Sequence, residues 1–160
     1  MNRIETVRKA IDEILLSMAD VGERRSAYVH LYGVAQSCAL LALTRGQNVE
    51  LAVIAGMLHD IHSYANMDTL DHARKSATMA SELLARLQIV NEDEATIVCD
   101  AIRVHSDKDS THSAFDEVLK DADTFQSWLY DPLAVPIAQS RKERCNRVLA
   151  ELGVRQHTYT

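Results

Sequence analysis

Six side chains of this sequence can bind metal ions, and each falls on a predicted helix face that is otherwise apolar. They are four histidines and two aspartates: His30, His59, Asp60, His72, His105 and Asp123. Burying so many imidazoles and carboxylates unpaired would cost roughly several kcal/mol for each group. A shared divalent cation compensates that cost, and mixed imidazole and carboxylate ligands suit Mn, Fe, Co, Ni or Zn. We therefore predict a metal site.

The adjacent residues His59 and Asp60 close an apolar run, residues 51–58. If that run is a helix, His59 shares a stripe with Ala55 and Gly56 and faces inward. A single histidine on an apolar stripe is more often a core residue that hydrogen-bonds to a neighbour. Here five predicted helices all turn such residues inward, and this joint pattern favours a metal site over separate core histidines.

The elements that must position these residues are helices. Apolar residues recur at three- and four-residue spacing, glycine and proline are scarce, and runs of alternating β-branched residues are missing. We expect an all-α fold, a single compact bundle of about six to seven helices. The predicted helices are residues 4–18, 23–44 and 49–61, three that begin near Asp68 or Thr69, Asn91 and Phe115, and a last one at about 135–152. Residues 62–69 are predicted to be a polar connection, and residues 141–144 to lie in solvent.

Length and composition narrow the class of protein. The chain has 160 residues, enough for one domain over residues 1–160, with a motif-bearing core at about 22–130. A net charge of −6 disfavours a nucleic-acid binder. No signal peptide is evident, the apolar runs are too short to span a bilayer, and three isolated cysteines are typical of a reducing compartment. We expect a cytoplasmic protein with no membrane partner, and a homo-oligomer is compatible with the sequence.

The spacing of four of these residues resembles the H…HD…D signature of the HD-domain superfamily of metal-dependent phosphohydrolases. His30 lies 29 residues before His59, and Asp123 lies 63 residues after Asp60. The similarity spans roughly residues 28–128. It implies an all-helical HD-domain bundle in which these four residues are the ligands of one metal ion. Asp123 is chosen over Asp121 because the family aspartate follows an alanine.

The resemblance also bears on the number of metal ions. His72 and His105 match two further histidines of binuclear family members, in which the aspartate of the HD pair bridges the ions. The resemblance thus implies two divalent ions with Asp60 as the bridge between them. The candidate metals are Mn, Fe, Co or Ni rather than a structural Zn. The same two histidines could instead hold a phosphoryl group directly, which would leave a single ion. We favour two ions.

The activity that the resemblance implies is hydrolysis of a small phosphate ester or nucleotide by a metal-activated water. Besides Asp60, three side chains are candidates for catalysis. His62 could donate a proton to the leaving group, because its pKa lies naturally in the useful range. Lys108 and Lys120 could bind the substrate by neutralising charge on the phosphoryl oxygens. Each of these three also has a simpler interpretation as an exposed surface residue.

Two other functions use the same ligands. Some HD-domain proteins hold two irons and activate oxygen, acting on a phosphonate or polyol, and others are regulatory modules that bind metal without catalysis. The chain departs from two hydrolase branches. Residues 61–63 lack the acid that nucleotidase-like and alarmone-hydrolase-like members carry after the HD pair, and the Gly-Tyr-Pro tripeptide of the cyclic-dinucleotide branch is missing. Neither of these specific activities is assigned.

Overall fold

The fold is known from a computed structural model that describes residues 2–132 and 138–154. Those residues form eight helices and no strand, so the all-α prediction is confirmed. The helices are α1 Arg3–Leu16, α2 Val21–Arg45, α3 Val49–Leu58, α4 Ile61–Asn66, α5 His72–Leu87, α6 Glu92–Val104, α7 Ala114–Tyr130 and α8 Gln139–Glu151. Their buried apolar side chains form one continuous cluster.

Short polar side chains begin five of these helices. Each accepts a hydrogen bond from the backbone N–H three residues later, and they are Asn2, Asp20, Asn48, Asn91 and Ser113. At the end of α2, Gly46 has a φ of +64°, the left-handed conformation that its position predicts. These local signals explain why α2, α3, α6 and α7 begin close to their predicted starts.

The chain around His59 and Asp60 differs from the prediction. The third helix ends at Leu58 rather than at residue 61, and residues 61–66 form α4, although residues 62–69 were predicted to be a connection. The His59 ring accounts for this end, because its Nδ1 donates to the Gly56 carbonyl at 2.8 Å. That carbonyl is the acceptor that the Asp60 amide would need to continue the helix. The chain therefore turns at Asp60 and starts again, which gives eight helices where six to seven were expected.

The start of α5 is also wrong in the prediction. The helix begins at His72, after Asp71 in the left-handed conformation with a φ of 53°, and not after an N-cap at Asp68 or Thr69. The Asp68 side chain instead accepts from the Leu70 amide at 2.9 Å and pairs with Lys75 at 2.6 Å. These contacts hold the connection, so that His72 is the first residue of its helix.

The helix α2 packs chiefly against α3 and α7. A Cβ placed on Gly56 would lie 2.7 Å from the Cα of Ala35, so only glycine lets the backbones of α2 and α3 come this close. By length and composition α2 could cross a membrane, contrary to the prediction that no apolar run is long enough. Its residues Leu31, Val34 and Leu41 are fully buried in the common core, so this face of α2 packs against the rest of the protein.

The last helix is shorter than predicted, and one of its charged residues lies in the interior. Of the predicted range 135–152, residues 135–137 fall outside the described part of the chain. Arg144, expected in solvent, is only 4% exposed. Its guanidinium lies 2.7 Å from both Glu117 and Asp121 and also donates to the Lys108 carbonyl. These acceptors satisfy its donors, so the charge can be buried.

The three cysteines, Cys38, Cys99 and Cys145, are buried and free, as predicted. Burial raises the pKa of the Cys145 thiol to about 11 and also raises the pKa of Cys38. Such thiols stay protonated near neutral pH and are poor nucleophiles. Their contribution is therefore to packing.

An ionic network joins α7 to α8 and to the loop of residues 105–113, with Glu117 at its centre. The Glu117 carboxylate accepts from Lys120 at 2.8 Å, from Arg144 at 2.7 Å and from the His112 amide at 3.0 Å. Burial alone would raise the pKa of this carboxyl, but these donors outweigh it and lower the pKa from 4.5 to about 2. The stabilisation is therefore present above pH 4.5 and is lost as the pH falls towards 2.

We predict that Glu117→Gln lowers the free energy of unfolding by about 2 kcal/mol at neutral pH, because it leaves two buried cations short of a counter-charge. The difference from the native protein should shrink as the pH falls from 4.5 towards 2, since the native carboxyl is then protonated as well. Urea unfolding at several pH values, with a chelator present, measures this. Glu13→Gln, at an exposed position, is the control. A difference that stays constant with pH would contradict the prediction.

Candidate metal centre

The structure brings together all six residues that the sequence singles out. They form three overlapping groups whose ligand atoms lie within 4.8 Å of one another: His30 with His59 and Asp60, His59 with His105 and Asp123, and Asp60 with His72 and His105. Each comes from a different place in the bundle. His30 and Asp123 lie in the middle of α2 and α7, whereas the other four stand where a helix begins or ends.

Two of the histidines are held by hydrogen bonds from Nδ1 to a backbone carbonyl. His59 donates to the carbonyl of Gly56 at 2.8 Å, and His105 to the carbonyl of Ile102 at 2.7 Å. In both cases a histidine that caps the C-terminus of a helix bonds the carbonyl three residues earlier. A carbonyl can only accept, so Nδ1 carries the proton and the neutral ring presents the Nε2 lone pair to the centre.

The two oxygens of Asp60 face different groups of histidines. Oδ2 lies 3.5 Å from the Nε2 atoms of both His30 and His59. Oδ1 lies 3.3 Å from Nε2 of His105 and 3.7 Å from Nε2 of His72. Asp60 therefore stands between the two pairs of imidazoles.

Asp123 completes the first group. Its Oδ1 lies 3.5 Å from Nε2 of His30 and 3.8 Å from Nε2 of His59. These two imidazole nitrogens are themselves 3.1 Å apart, too close for two facing lone pairs unless a proton or a cation lies between them. A proton shared in this way, or a metal ion in its place, accounts for the contact.

One oxygen of Asp60 that lacks a hydrogen-bond partner among the described residues indicates whether the site suits a metal. Oδ1 of Asp60 is buried and has no hydrogen-bond partner among the described residues. A carboxylate oxygen without a partner is costly in the interior, and a divalent cation would satisfy it. The donors around it are imidazole nitrogens and a second carboxylate, a set that suits first-row transition metals. The residues present thus fit a metal ion.

Both carboxylates are held in the charged form. Burial by itself would raise the pKa of Asp60 and of Asp123. For Asp60 the neighbouring histidines, His59 first, outweigh burial and hold the pKa well below its usual range. For Asp123 the strongest opposing influence is the Lys108 ammonium, and its pKa is likewise far below the usual value. Ionised carboxylates are the form that binds metal.

The two imidazoles of the first group differ in basicity. Burial lowers the pKa of His59 to about 4, so its ring is neutral near pH 7. His30 is subject to the same effect of burial, but Asp60 and Asp123 outweigh it and raise its pKa. In the metal-free protein His30 is thus the base that takes up a proton, which a metal ion would displace.

Lys108 reaches the centre but is fully engaged there. Its Nζ lies 2.6 Å from Oδ2 of Asp123, and it also donates to the Lys120 carbonyl at 3.1 Å. It neutralises the oxygen of Asp123 that faces away from the histidines, so that Oδ1 is left for the centre. In this arrangement Lys108 orients a candidate ligand, and its predicted contact with substrate stays a prediction.

Lys120 does not face the centre at all. The side chain is fully buried, and its Nζ donates to the Ser110 carbonyl at 2.5 Å and to Glu117 at 2.8 Å. Its position one turn before Asp123 suggested a shared face, but the carboxylate of Glu117 draws the ammonium to the far side of α7. Lys120 therefore holds the loop of residues 105–113 and is not placed to bind substrate.

His62 also lies apart from the six ligands. Its Nδ1 pairs with the Asn66 amide at 3.1 Å, and its Nε2 is 3.5 Å from Oδ2 of Asp68. Because residues 61–66 form a helix, the ring is carried to the side of α4 that faces the Asp68 turn. His62 lines neither of the cavities described next, and its role as a proton donor stays a prediction.

Two cavities open beside the ligands and share one residue, Tyr64. The larger, about 400 Å³, is lined by Glu23, Asp60, Ser63, Tyr64, Met67, Thr69 and His72. The smaller, about 240 Å³, is lined by Ser26, Val29, His30, Tyr64, Gln126, Ser127 and Tyr130. Each exposes a part of the ligand cluster, so a small molecule could reach the centre from either side of the Tyr64 ring.

Gln126 is a functional residue that the sequence reading missed. Its Oε1 accepts from Nδ1 of His30 at 2.8 Å and so fixes the ring. A Cβ on Gly33 would lie 2.9 Å from the Gln126 side chain, which shows that α2 makes room for it. The signal was present, because Gln126 follows Asp123 by one helical turn and shares its face. A glutamine one helical turn after a candidate aspartate ligand is thus the pattern that indicates such a role.

We predict that Gln126→Leu weakens metal binding by about tenfold or more, because partners that orient a ligating histidine typically contribute 10–100-fold in affinity. The dissociation constant, measured by competition with a chelating dye, tests this, and circular dichroism checks that the variant is folded. Gln36→Leu, at an exposed position on the same bundle, is the matched control and should bind metal as the native protein does. Unchanged affinity in Gln126→Leu would show that His30 needs no such support.

Known proteins share this architecture. The crystal structure of a predicted HD superfamily hydrolase from an uncultured Thermotogales bacterium resembles the chain with a TM-score of 0.59 at 22% identity. The match covers 94% of this chain and 87% of that one, and at such identity it shows the common fold. No curated protein matches the chain. The profile of the HD domain matches residues 27–128, a stretch that contains all six ligands. With most of its length matched and the histidine–aspartate pair at its centre, this protein belongs to the HD-domain family.

Proposed function

We propose that the protein is a metal-dependent hydrolase that removes phosphate from small phosphate esters or nucleotides. One observation carries the proposal: two groups of ligand atoms share Asp60, whose two oxygens face different histidines. In two-metal hydrolases, ions about 3.5–4 Å apart act together on the attacking and leaving oxygens. Membership of the HD-domain family supports metal binding, and the cavities beside the cluster support a small substrate.

The ligand set favours two divalent ions. His30, His59 and Asp123 would hold one, His72 and His105 the other, and Asp60 would bridge them. Imidazole and carboxylate ligands suit Mn, Fe, Co or Ni, and their open positions differ from the closed set of a structural Zn site. When bound, such ions supply an activated water near neutral pH and polarise the phosphoryl oxygens.

The chain's own residues prepare this chemistry. The Nδ1 contacts of His59 and His105 fix both rings with Nε2 directed inward. Lys108 fixes Asp123 by its outer oxygen. Ligands held in this way need little reorganisation when substrate arrives, which is the preorganisation that metal sites require. Catalysis in this proposal depends on the six ligands, and the substrate meets them through the cavities beside His30 and His72.

The same six ligands also suit an oxygenase with two irons that acts on a phosphonate or polyol. Oxygen consumption by the ferrous protein with such substrates, and none of the phosphate release described below, would favour that function. A regulatory module that binds metal without catalysis would show neither oxygen consumption nor phosphate release.

We place the protein in the cytoplasm because its three cysteines are free thiols. Its net charge of −6 disfavours nucleic acid as a partner, and we propose a small phosphorylated substrate from the resemblance to the HD-domain family.

We predict that the protein loaded with Mn, Co or Ni releases inorganic phosphate from small monoesters or nucleotides without oxygen. Asp123→Asn should lower kcat at least about a hundredfold, because a neutral amide both weakens a ligand and leaves Lys108 unpaired. Malachite-green detection under nitrogen measures the rate. Asp131→Asn, at the exposed residue that caps the C-terminus of the same helix, is the control. Full metal occupancy with no release from any tested ester would end the proposal of hydrolysis.

We predict two ions per chain in the native protein and one in a His72→Ala, His105→Ala double variant. Those residues face Oδ1 of Asp60, so their removal should empty one side of the bridge and leave the other. Elemental analysis of protein prepared without chelators gives the stoichiometry. His72→Ala alone provides a milder test, since that ring is 32% exposed and its loss leaves no large void. A native value of one ion, unchanged in the double variant, would refute the binuclear arrangement.

A further inference from the structure

Apart from the candidate metal ligands His30 and His72, the described residues that line the cavities beside the metal centre include no basic side chain. In the described part of the chain, neither lining includes a lysine or arginine. Three lysines lie three residues from a candidate ligand, and each is paired with a carboxylate: Lys75 with Asp68, Lys108 with Asp123 and Lys120 with Glu117. Arg24, on the first turns of α2, donates to the Leu16 carbonyl. A bound phosphoryl group would therefore find its positive charge at the metal centre.

The larger cavity instead carries a negative charge. Glu23 borders it, and its carboxylate makes no ion pair within residues 2–132 and 138–154. Burial raises the pKa of Tyr64, which lines both cavities, and the charges of Asp60, Glu23 and Asp123 raise it further. Tyr64 thus remains a neutral hydroxyl beside an anionic wall. Any second anionic group on a substrate would face Glu23 without a compensating cation.

The remaining polar groups of this cavity are neutral. Ser63 and Thr69 contribute hydroxyls alongside that of Tyr64. Oγ of Ser63 is buried and lacks a hydrogen-bond partner among the described residues, so it has a donor and acceptor to offer. Hydroxyls of this kind, together with a carboxylate acceptor, match the hydroxyl groups of a sugar or polyol. They give a phosphate no charge to pair with.

We infer that the site selects phosphate monoesters whose leaving group is neutral and carries hydroxyls, such as a sugar or nucleoside, and that Glu23 disfavours substrates bearing a second phosphate. The inference rests on the proposed function, because it assumes that the reacting phosphoryl lies at the metal centre. In the reaction, water forms the new bond to phosphorus, the bond to the ester oxygen breaks, and the alcohol leaves with a proton. With a diphosphate the leaving group still bears a phosphate, which lies near Glu23 when the leaving group occupies the larger cavity.

Turnover tests the inference with matched substrates. The metal-loaded protein is given a nucleoside 5′-monophosphate against the same 5′-diphosphate, and a hexose 6-phosphate against the 1,6-bisphosphate. We expect kcat/KM to favour the monophosphate of each pair by about tenfold or more. Glu23→Gln should reduce this preference, and Glu23→Lys should reduce it further or reverse it. Glu13→Lys, on the exposed side of α1, makes the same change in net charge and should leave the preference unaltered.

The binding of two non-hydrolysable phosphonates tests the role of Glu23 without turnover. Methylphosphonate and methylenediphosphonate, which cannot be hydrolysed in this way, are titrated calorimetrically into the manganese-loaded protein. Glu23→Lys should tighten binding of the diphosphonate by about tenfold and change that of methylphosphonate by less than about twofold. Metal content and thermal melting of each variant show that the centre and the fold are intact. Glu13→Lys should change neither dissociation constant.

The turnover and binding experiments distinguish a failure of the inference about Glu23 from a failure of the proposed function. Equal kcat/KM for both members of each pair, or a ratio that Glu23→Lys leaves unchanged, overturns the selectivity inferred for Glu23. Absence of phosphate release from every substrate overturns hydrolysis. The calorimetric comparison still decides the role of Glu23 in that case, and an unaltered diphosphonate affinity in Glu23→Lys overturns it.

Discussion

The burial of Asp60 is the constraint on which the rest of the structure depends. Its carboxylate is held in the charged form, and one oxygen lacks any hydrogen-bond partner among the described residues. An interior anion of this kind is tolerated only with strong compensation. Here four imidazoles surround it at 3.3 to 3.7 Å, drawn from α2, α5 and the ends of α3 and α6. The bundle is arranged so that these helices present their histidines to a single carboxylate. That arrangement makes sense when a cation shares the site.

The ionic network between α7 and α8 is a second layer of the same arrangement. Arg144 and Lys120 bind the carbonyls of residues 108 and 110 and so hold the loop that follows His105. That loop places Lys108 against Asp123. The cations that the sequence suggested for substrate are thus used inside the protein, to fix the loop and one ligand. The cost of burying them is offset by Glu117 and Asp121, which belong to the same helix as Asp123.

Helical periodicity was enough to predict the all-α fold and the inward position of all six ligands, because a buried face repeats at a fixed spacing in sequence. It could not predict the break at Asp60, since that break follows from a side-chain bond between His59 and the Gly56 carbonyl. Nor could it assign partners to long charged side chains. Arg144 of α8 pairs with Glu117 and Asp121 of α7, and Lys120 reaches the Ser110 carbonyl in the preceding loop, contacts that only the packing of the helices decides. Gln126 was missed for another reason: its role appears only once α2 and α7 are placed side by side.

The charges of the centre link metal binding to substrate binding. Asp60 and Asp123 contribute two negative charges, which Lys108 and a protonated His30 balance in the metal-free protein, while His59 is neutral. Without metal this cluster has no net positive charge for a phosphate, whereas a divalent ion that displaced the His30 proton would make it attractive. Because the linings of the two cavities include no lysine or arginine within the described residues, the proposed attraction for a phosphoryl group would come from the ions. Coupling of this kind is reciprocal, so a bound phosphate must hold the ions more tightly to the same degree that the ions hold the phosphate.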